Sequence, residues 1–159
     1  MGALALELAR RIQEAGERAG PHGASVPAAL ASLHGLGAGQ SIDDLRRIVG
    51  LTHSGAVRLV DRLAGAGLVE RRVGADQRSV ALQLTPEGRR AARRVLAQRE
   101  AAIEQVLAPL DASDRALLTR LHERLLGELA DGPRSRRRLC RLCDVEACGR
   151  ECPTRETNP

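Results

Sequence analysis

A mainly α-helical chain carrying one small β-hairpin is the fold class the sequence predicts, and three observations predict it. Apolar residues recur at helical spacing through most of the 159 positions, the mark of helices that bury one face. One stretch breaks that period: "LVERRV" and "SVALQLT" alternate around "GADQR" over residues 68–85, as the two arms of a hairpin do. Helix-starting Ser, Thr and Pro and helix-stopping Gly fall at the ends of the periodic runs. The length suits one domain, or one subunit of an intertwined oligomer.

The elements follow in order. Leu4, Leu8 and Ile12 at i, i+4 and i+8 predict a first helix over 3–19, broken by "GPHG" at 20–23. Ser25 as N-cap with Pro27 in the first turn predicts a second, over 25–35, ended by Gly35, Gly37 and Gly39. Ser41 caps a third, "SIDDLRRIVG", with acids in its first turn where the helix dipole favours them, and Gly50 stops it. After a tight turn, "THSGAVRLVDRLAGAG" forms a fourth helix with Val57, Val60 and Leu63 on its buried side. The hairpin comes next. Thr85 as N-cap and Pro86 then open a long helix running towards Leu110, and Asp111 or Ser113 starts a last one. That last helix carries Leu117, Leu118, Leu121, Leu125 and Leu129 on one side and ends near "DGPRS" at 131–135.

A short helix, a turn holding Gly50, a second helix and a hairpin together make a winged helix-turn-helix. Its recognition helix presents Thr52, His53, Ser54, Arg58 and Arg62 at its N-terminal end and outer face. Within "LTHSGAVRLVDRLAGAGLVERRVGADQRSVALQLTPEGR" (51–89), the marks "RLVDRL" at 58–63, "GLVERR" at 67–72, "DQR" at 76–78 and "LTPEG" at 84–88 occur in order and spacing. With them the chain resembles the MarR family of bacterial transcription regulators over about residues 3–130. The resemblance implies an intertwined helical homodimer, with the first and last helices interleaved and a winged helix on each side. The implied layout is a dimerisation helix at 1–24, a DNA-binding region at 25–88, dimerisation helices at 89–132 and a cysteine tail at 133–159. Arg46 stands where helix-turn-helix sequences often carry a small residue, and its place is expected to be the rim.

The residue types fit a double-stranded DNA operator. Arg58 can take guanine O6 and N7 bidentately. Thr52 and Ser54 suit phosphates at a helix N-terminus, and His53 reads as a phosphate contact or bystander more than a base reader. Arg78 at the wing tip is the kind of guanidinium that enters a narrow minor groove, with Asp76 orienting it. The solvated-face reading of Arg58 and Arg62 stands beside this one.

Composition narrows the classes further. There is no Phe, Tyr or Trp, so stacking on single-stranded nucleic acid is excluded. All 25 basic residues are Arg, for a formal charge of +5. Residues 41–94 hold eleven Arg against six acids, and residues 95–133 four against seven. A basic region thus joins an acidic one. No Ser/His/Asp set or Gly-rich phosphate loop appears, so no enzyme activity is expected. No apolar run spans a membrane and no signal peptide is read, which points to the cytoplasm.

All four cysteines lie in "CRLCDVEACGRECP", as Cys140, Cys143, Cys148 and Cys152. Such clustering suggests a thiolate metal centre. The closing Cys-Pro echoes ferredoxin runs and resembles the tail of SoxR-type redox regulators. An iron–sulfur cluster, 2Fe–2S by preference, is expected, with zinc as the alternative and a metal-free thiol–disulfide switch as a third. Arg134, Arg136, Arg137, Arg138 and Arg141 precede and enter the motif as a solubilising linker, a second DNA contact or compensation for thiolate charge. The expected function is a repressor whose DNA binding responds to redox state or iron. The alternatives are a regulator with a zinc tail that senses a small organic ligand, and an electron carrier or metal-binding protein.

Overall fold

The computed structural model of the chain describes residues 2–20, 23–36, 39–73, 80–148 and 152–154. Their elements run α1 (Gly2–Ala19), α2 (Val26–Gly35), β1 (Gln40–Ser41), α3 (Ile42–Val49), α4 (His53–Gly65), β2 (Val69–Val73), β3 (Val80–Leu84), α5 (Pro86–Leu107), α6 (Ala112–Leu129), α7 (Gly132–Leu139) and α8 (Val145–Cys148). A 3-10 turn at Cys140–Leu142 joins the last two. The fold is mainly α-helical with a small β wing, as expected. No helix among the described residues is long and apolar enough to cross a membrane.

Local chemistry sets the helix ends. Ser41 Oγ accepts from Asp44 N at 3.1 Å while Asp44 Oδ2 accepts from Ser41 N at 3.1 Å. This capping box satisfies two donors that the first turn of α3 would leave unpaired. Thr52, Thr85 and Asp111 cap α4, α5 and α6 in the same way, each accepting from the amide three residues on. At the other end of α3, Gly50 adopts φ +74°, and its amide donates to Arg46 O. A left-handed residue here turns the chain sharply into α4, and only glycine takes that conformation without cost.

The sheet has the order β1-β3-β2, antiparallel throughout, with Val69 opposite Leu84 and Val73 opposite Val80. β1 is absent from the sequence expectation, because two residues, Gln40 and Ser41, carry no period to read. A buried polar pair accompanies it: Gln40 Nε2 donates to Ser32 O at 2.9 Å, and Ser32 Oγ lies 3.3 Å from Gln40 Oε1. These bonds fasten β1 to α2 while keeping both buried side chains satisfied.

The core is aliphatic. Leu30, Leu45, Leu63, Leu82, Val26, Val60 and Val95 are its largest fully enclosed side chains. Recognition helix α4 contributes Ala56, Leu59, Val60 and Leu63. Val57 was expected inward but is only half-buried; the inward face is the stripe 56, 59, 60 and 63, one residue round from it. Outer hairpin residues Val73 and Val80 stay exposed, so the wing projects from the core.

One junction ties α4, the wing and α5 together. Leu68 N donates to Leu63 O at 2.9 Å, Thr85 N donates to Leu68 O at 3.0 Å, and Thr85 Oγ1 donates to Gly67 O at 2.7 Å. Against this turn lies Gly88, where a Cβ would come within 1.9 Å of Leu68 O. Backbone faces backbone there, so no side chain can give way.

Helix α6 stands apart. It buries no residue within the chain, and Leu117, Leu121, Leu125 and Leu129 are about half exposed or more. Arg115 sets its angle to α5: Nη1 and Nη2 grip Glu104 at 2.9 and 2.6 Å, Nη2 also donates to Leu107 O, and Nε donates to Leu110 O. The guanidinium thus covers carbonyls at the end of α5 that have no helical partner.

Gly88→Ala is expected to lower unfolding free energy by about 2 kcal/mol or more, in the upper range of overpacking costs. Urea titration followed by circular dichroism reads this; a loss below about 0.5 kcal/mol contradicts the close approach.

Candidate nucleic-acid interface

The helix-turn-helix is built by α3 and α4. Leu45 and Ile48 of α3 are buried, Leu45 in the core that α4 also lines, so the N-terminal end of α4 is held outward. Thr52 Oγ1 accepts from Gly55 N at 3.1 Å and lies 3.4 Å from Ser54 Oγ. Thr52, His53, Ser54 and Arg58 are all exposed, and the first three gather at the positive end of the helix dipole.

Arg58 and Arg62 share one face, four residues apart. They line a cavity of about 160 Å³ beside the loop that enters α2. Arg62 sits closest to that loop: a Cβ on Gly23 would lie 2.5 Å from its Nη1. It therefore flanks the α1–α2 connection, at the far end of α4 from Thr52. Asp76 and Arg78, expected at the wing tip, lie outside the described residues.

The wing is coupled to the recognition helix by charge. Arg71 of β2 donates to Asp61 of α4 at 2.5 Å. Sequence reasoning left Arg71 without a role, since the hairpin's register is needed to bring it beside α4. Arg46 does sit at the rim. It is half-buried and bonds Asp43 at 2.8 Å, and Arg47 pairs with the same carboxylate. Those bonds, Arg46 first, hold the Asp43 carboxyl below the usual carboxylate range.

The cysteine tail departs from expectation. Among the described residues, no group of three or more His, Cys, Asp or Glu is arranged to hold a metal ion. Cys140, Cys143, Cys148 and Cys152 are free thiols lining a cavity of about 160 Å³ with Leu36, Arg136, Val145 and Thr154. A thiolate metal site needs its sulfurs deprotonated and tetrahedrally disposed about one centre. Here the sulfurs are engaged sideways. Cys140 Sγ and Cys152 Sγ lie 3.3 and 3.2 Å from Thr154 Oγ1, Cys143 bonds Cys140, and Cys148, exposed at the end of α8, bonds Cys152. The expected metal ligation by these four residues is thereby corrected. So are the iron–sulfur cluster, the zinc alternative, and the redox- or iron-responsive DNA binding and metal-carrier roles built on them.

The thiols are unequal. Hydrogen bonding from Cys143, then from Thr154 and Cys152, lowers Cys140 to about 6 against the opposing effect of burial, and the Arg136 charge adds to it. Donation to Cys140, together with burial, pushes Cys143 up.

Comparison with known proteins bears on the winged helix. Residues 24–79 match a family model described as MarR family. No curated protein matches the sequence. A MarR family protein from Bacillus stearothermophilus superposes with a TM-score of 0.71 at 25% identity, over 81% of this chain and 89% of that one. The YusO protein from Bacillus subtilis gives 0.63 at 25% identity, over 78% and 87%. A Mycobacterium tuberculosis MarR family protein, Rv2887, in complex with DNA gives 0.62 at 26% identity, over 79% and 96%. MarR-family proteins are transcriptional regulators and not enzymes, in keeping with the expectation that this chain is no enzyme.

The thiol network makes a chemical prediction. At pH 7.5, above the lowered pKa of Cys140 and below the raised one of Cys143, iodoacetamide should alkylate Cys140 well before Cys143, because the thiolate is the nucleophile. Thr154→Val removes a bond that favours the charged form, so the Cys140 pKa should rise and its labelling slow at that pH. Peptide mass mapping over time reads both; equal rates for Cys140 and Cys143 contradict the network. The helix-turn-helix falls within residues 24–79, the stretch that the model described as MarR family covers.

Proposed function

We propose that this protein is a MarR-type transcription regulator that binds a double-stranded DNA operator as an intertwined homodimer in the cytoplasm. The carrying observation is the recognition helix. Its polar N-terminal end is capped and exposed, and nearer its C-terminal end Asp61 pairs with Arg71 of the wing, all within the stretch that matches the MarR family model. The similar Rv2887 structure, which contains DNA, supports the same reading.

In this reading α4 enters the major groove from its N-terminal end. Arg58 takes the guanine edge. The Thr52 oxygen accepts from Gly55 N, so its hydroxyl proton can go to a phosphate, with Ser54 beside it. His53 is a phosphate neighbour, and Arg62 braces α4 against the entry to α2. Arg78 reaches the minor groove from the wing tip with Asp76 orienting it.

Dimerisation is supported by the apolar surface of α1 and α6. A groove of about 640 Å³ between them is lined by Leu4, Leu8, Leu118, Leu121 and Leu125. Monomers rarely leave so continuous a leucine face in water. A second copy covering it through a two-fold axis accounts for both helices at once, with 1–24 and 89–132 as the dimerisation segments and 25–88 reading DNA.

Selection from a random duplex pool tests the function: the protein should enrich a near-palindrome with half-sites about one DNA turn apart, roughly 10–10.5 bp, or a multiple. Enrichment of no sequence contradicts the proposal. On the selected site, Arg58→Ala should cost about 1–3 kcal/mol and relax preference at one base pair; an equal loss on all sequences makes Arg58 a phosphate contact instead. Arg78→Ala should weaken binding with the dimer intact. Leu121→Glu with Leu125→Glu should give monomers in sedimentation and abolish operator binding, and a persisting dimer contradicts the assigned interface.

A further inference from the structure

The tail helix α7 faces two ways. Arg136 turns to the thiol cavity. Arg134, Arg137 and Arg138, at i, i+3 and i+4, share another face and are exposed. That face meets α3 across an open groove of about 650 Å³, whose far side carries Arg46 and Arg47. Five guanidiniums therefore surround one concavity. Two carboxylates stand beside them: Asp43 bonds Arg46 and Arg47, while Asp44, which also lines the groove, is held in the capping box by Ser41 and feels the charges of Arg137 and Arg47. Among the described residues Arg134, Arg137 and Arg138 make no ion pair. The helix is anchored where it stands, because Ser135 Oγ donates to Leu129 O at 2.9 Å. Beyond it, Val145 packs so closely on α2 that a Cβ on Gly35 would come within 2.8 Å of its Cγ2.

Gly50 and Leu51 complete the groove, and they directly precede Thr52, the N-cap of the recognition helix. The basic surface of α3 and α7 is thus continuous with the end of α4 that faces DNA in the reading above, on which this inference rests. A small-molecule site is mostly apolar with a few convergent polar groups. This groove instead offers a spread of forked donors suited to successive phosphates. We infer that Arg134, Arg137 and Arg138 of α7, with Arg46 and Arg47 of α3, form a second phosphate-binding surface that grips the duplex backbone beside the recognition helix.

The test is the salt dependence of operator binding by the full chain. Each phosphate neutralised contributes about −0.9 to the slope of log K against log salt. Replacing all three α7 arginines by Gln should therefore make the slope shallower by roughly 2.7 per chain. It should also lower affinity about equally on operator and scrambled duplexes, while Arg58→Ala changes their ratio. An unchanged slope and affinity in the triple variant overturns the inference, and so does a selective loss of operator preference. Failure of the wild-type protein to prefer any duplex defeats the regulator reading itself, so the two failures are distinct. Duplexes with single neutral methylphosphonates keep the test open should the triple variant misfold. Wild-type binding should weaken at phosphates whose neutralisation is silent in Arg137→Gln, and identical profiles for the two proteins overturn the inference.

Discussion

The turn from Gly67 to Leu68 governs the architecture. There the recognition helix ends, β2 begins, β3 returns and α5 departs, all through backbone bonds on Leu68 and the Thr85 hydroxyl. Gly88 lets α5 lie directly on that turn. The long helix is therefore rigidly referenced to α4 and the wing. Because α5 also carries Ala91, Ala92 and Val95 into the core, its far end transmits the position of one winged helix to wherever α6 is held. Two reading heads joined through such helices would keep a fixed separation, as a palindromic site demands.

Electrostatics divides the surface into paired and unpaired regions. Several arginines on α1 and α5 pair with glutamates of the same helix: Arg10 with Glu7 and Glu14, Arg90 with Glu87. Exposed pairs of this kind add little stability. Among the described residues, Arg58 on α4 and the α7 arginines that line the groove beside α3 carry no such pairing. The chain's net charge of +5 favours steering towards a polyanion.

Much of the fold was legible because its boundaries are written in side chains. Ser41, Thr52, Thr85 and Asp111 each cap the helix expected after them, and Gly50 stops α3 by conformation rather than by propensity. What escaped notice depends on tertiary context. β1 is two residues held by Gln40 and Ser32, a contact no local period signals. Val57 and Leu59 are equally apolar, and only the docking angle of α4 chooses between them. Arg71 gains its partner through strand register, and Arg62 is set by the loop at Gly23. The cysteines are the sharpest case. Proximity in sequence gathers four sulfurs around a cavity, but a metal site depends on their directions, and Thr154 and neighbouring thiols occupy those directions instead. The α7 arginines were visible as a charge run, yet their division between a thiol side and a groove side needed the helix in place.

The central claim is that two copies of this chain act as one reader of duplex DNA. Sedimentation equilibrium of the protein with a short selected duplex addresses it directly, because the mass of the complex counts chains. The account predicts two chains per duplex at saturation, with no one-chain complex populated on the way. A complex of one chain per duplex with undiminished sequence preference would contradict it.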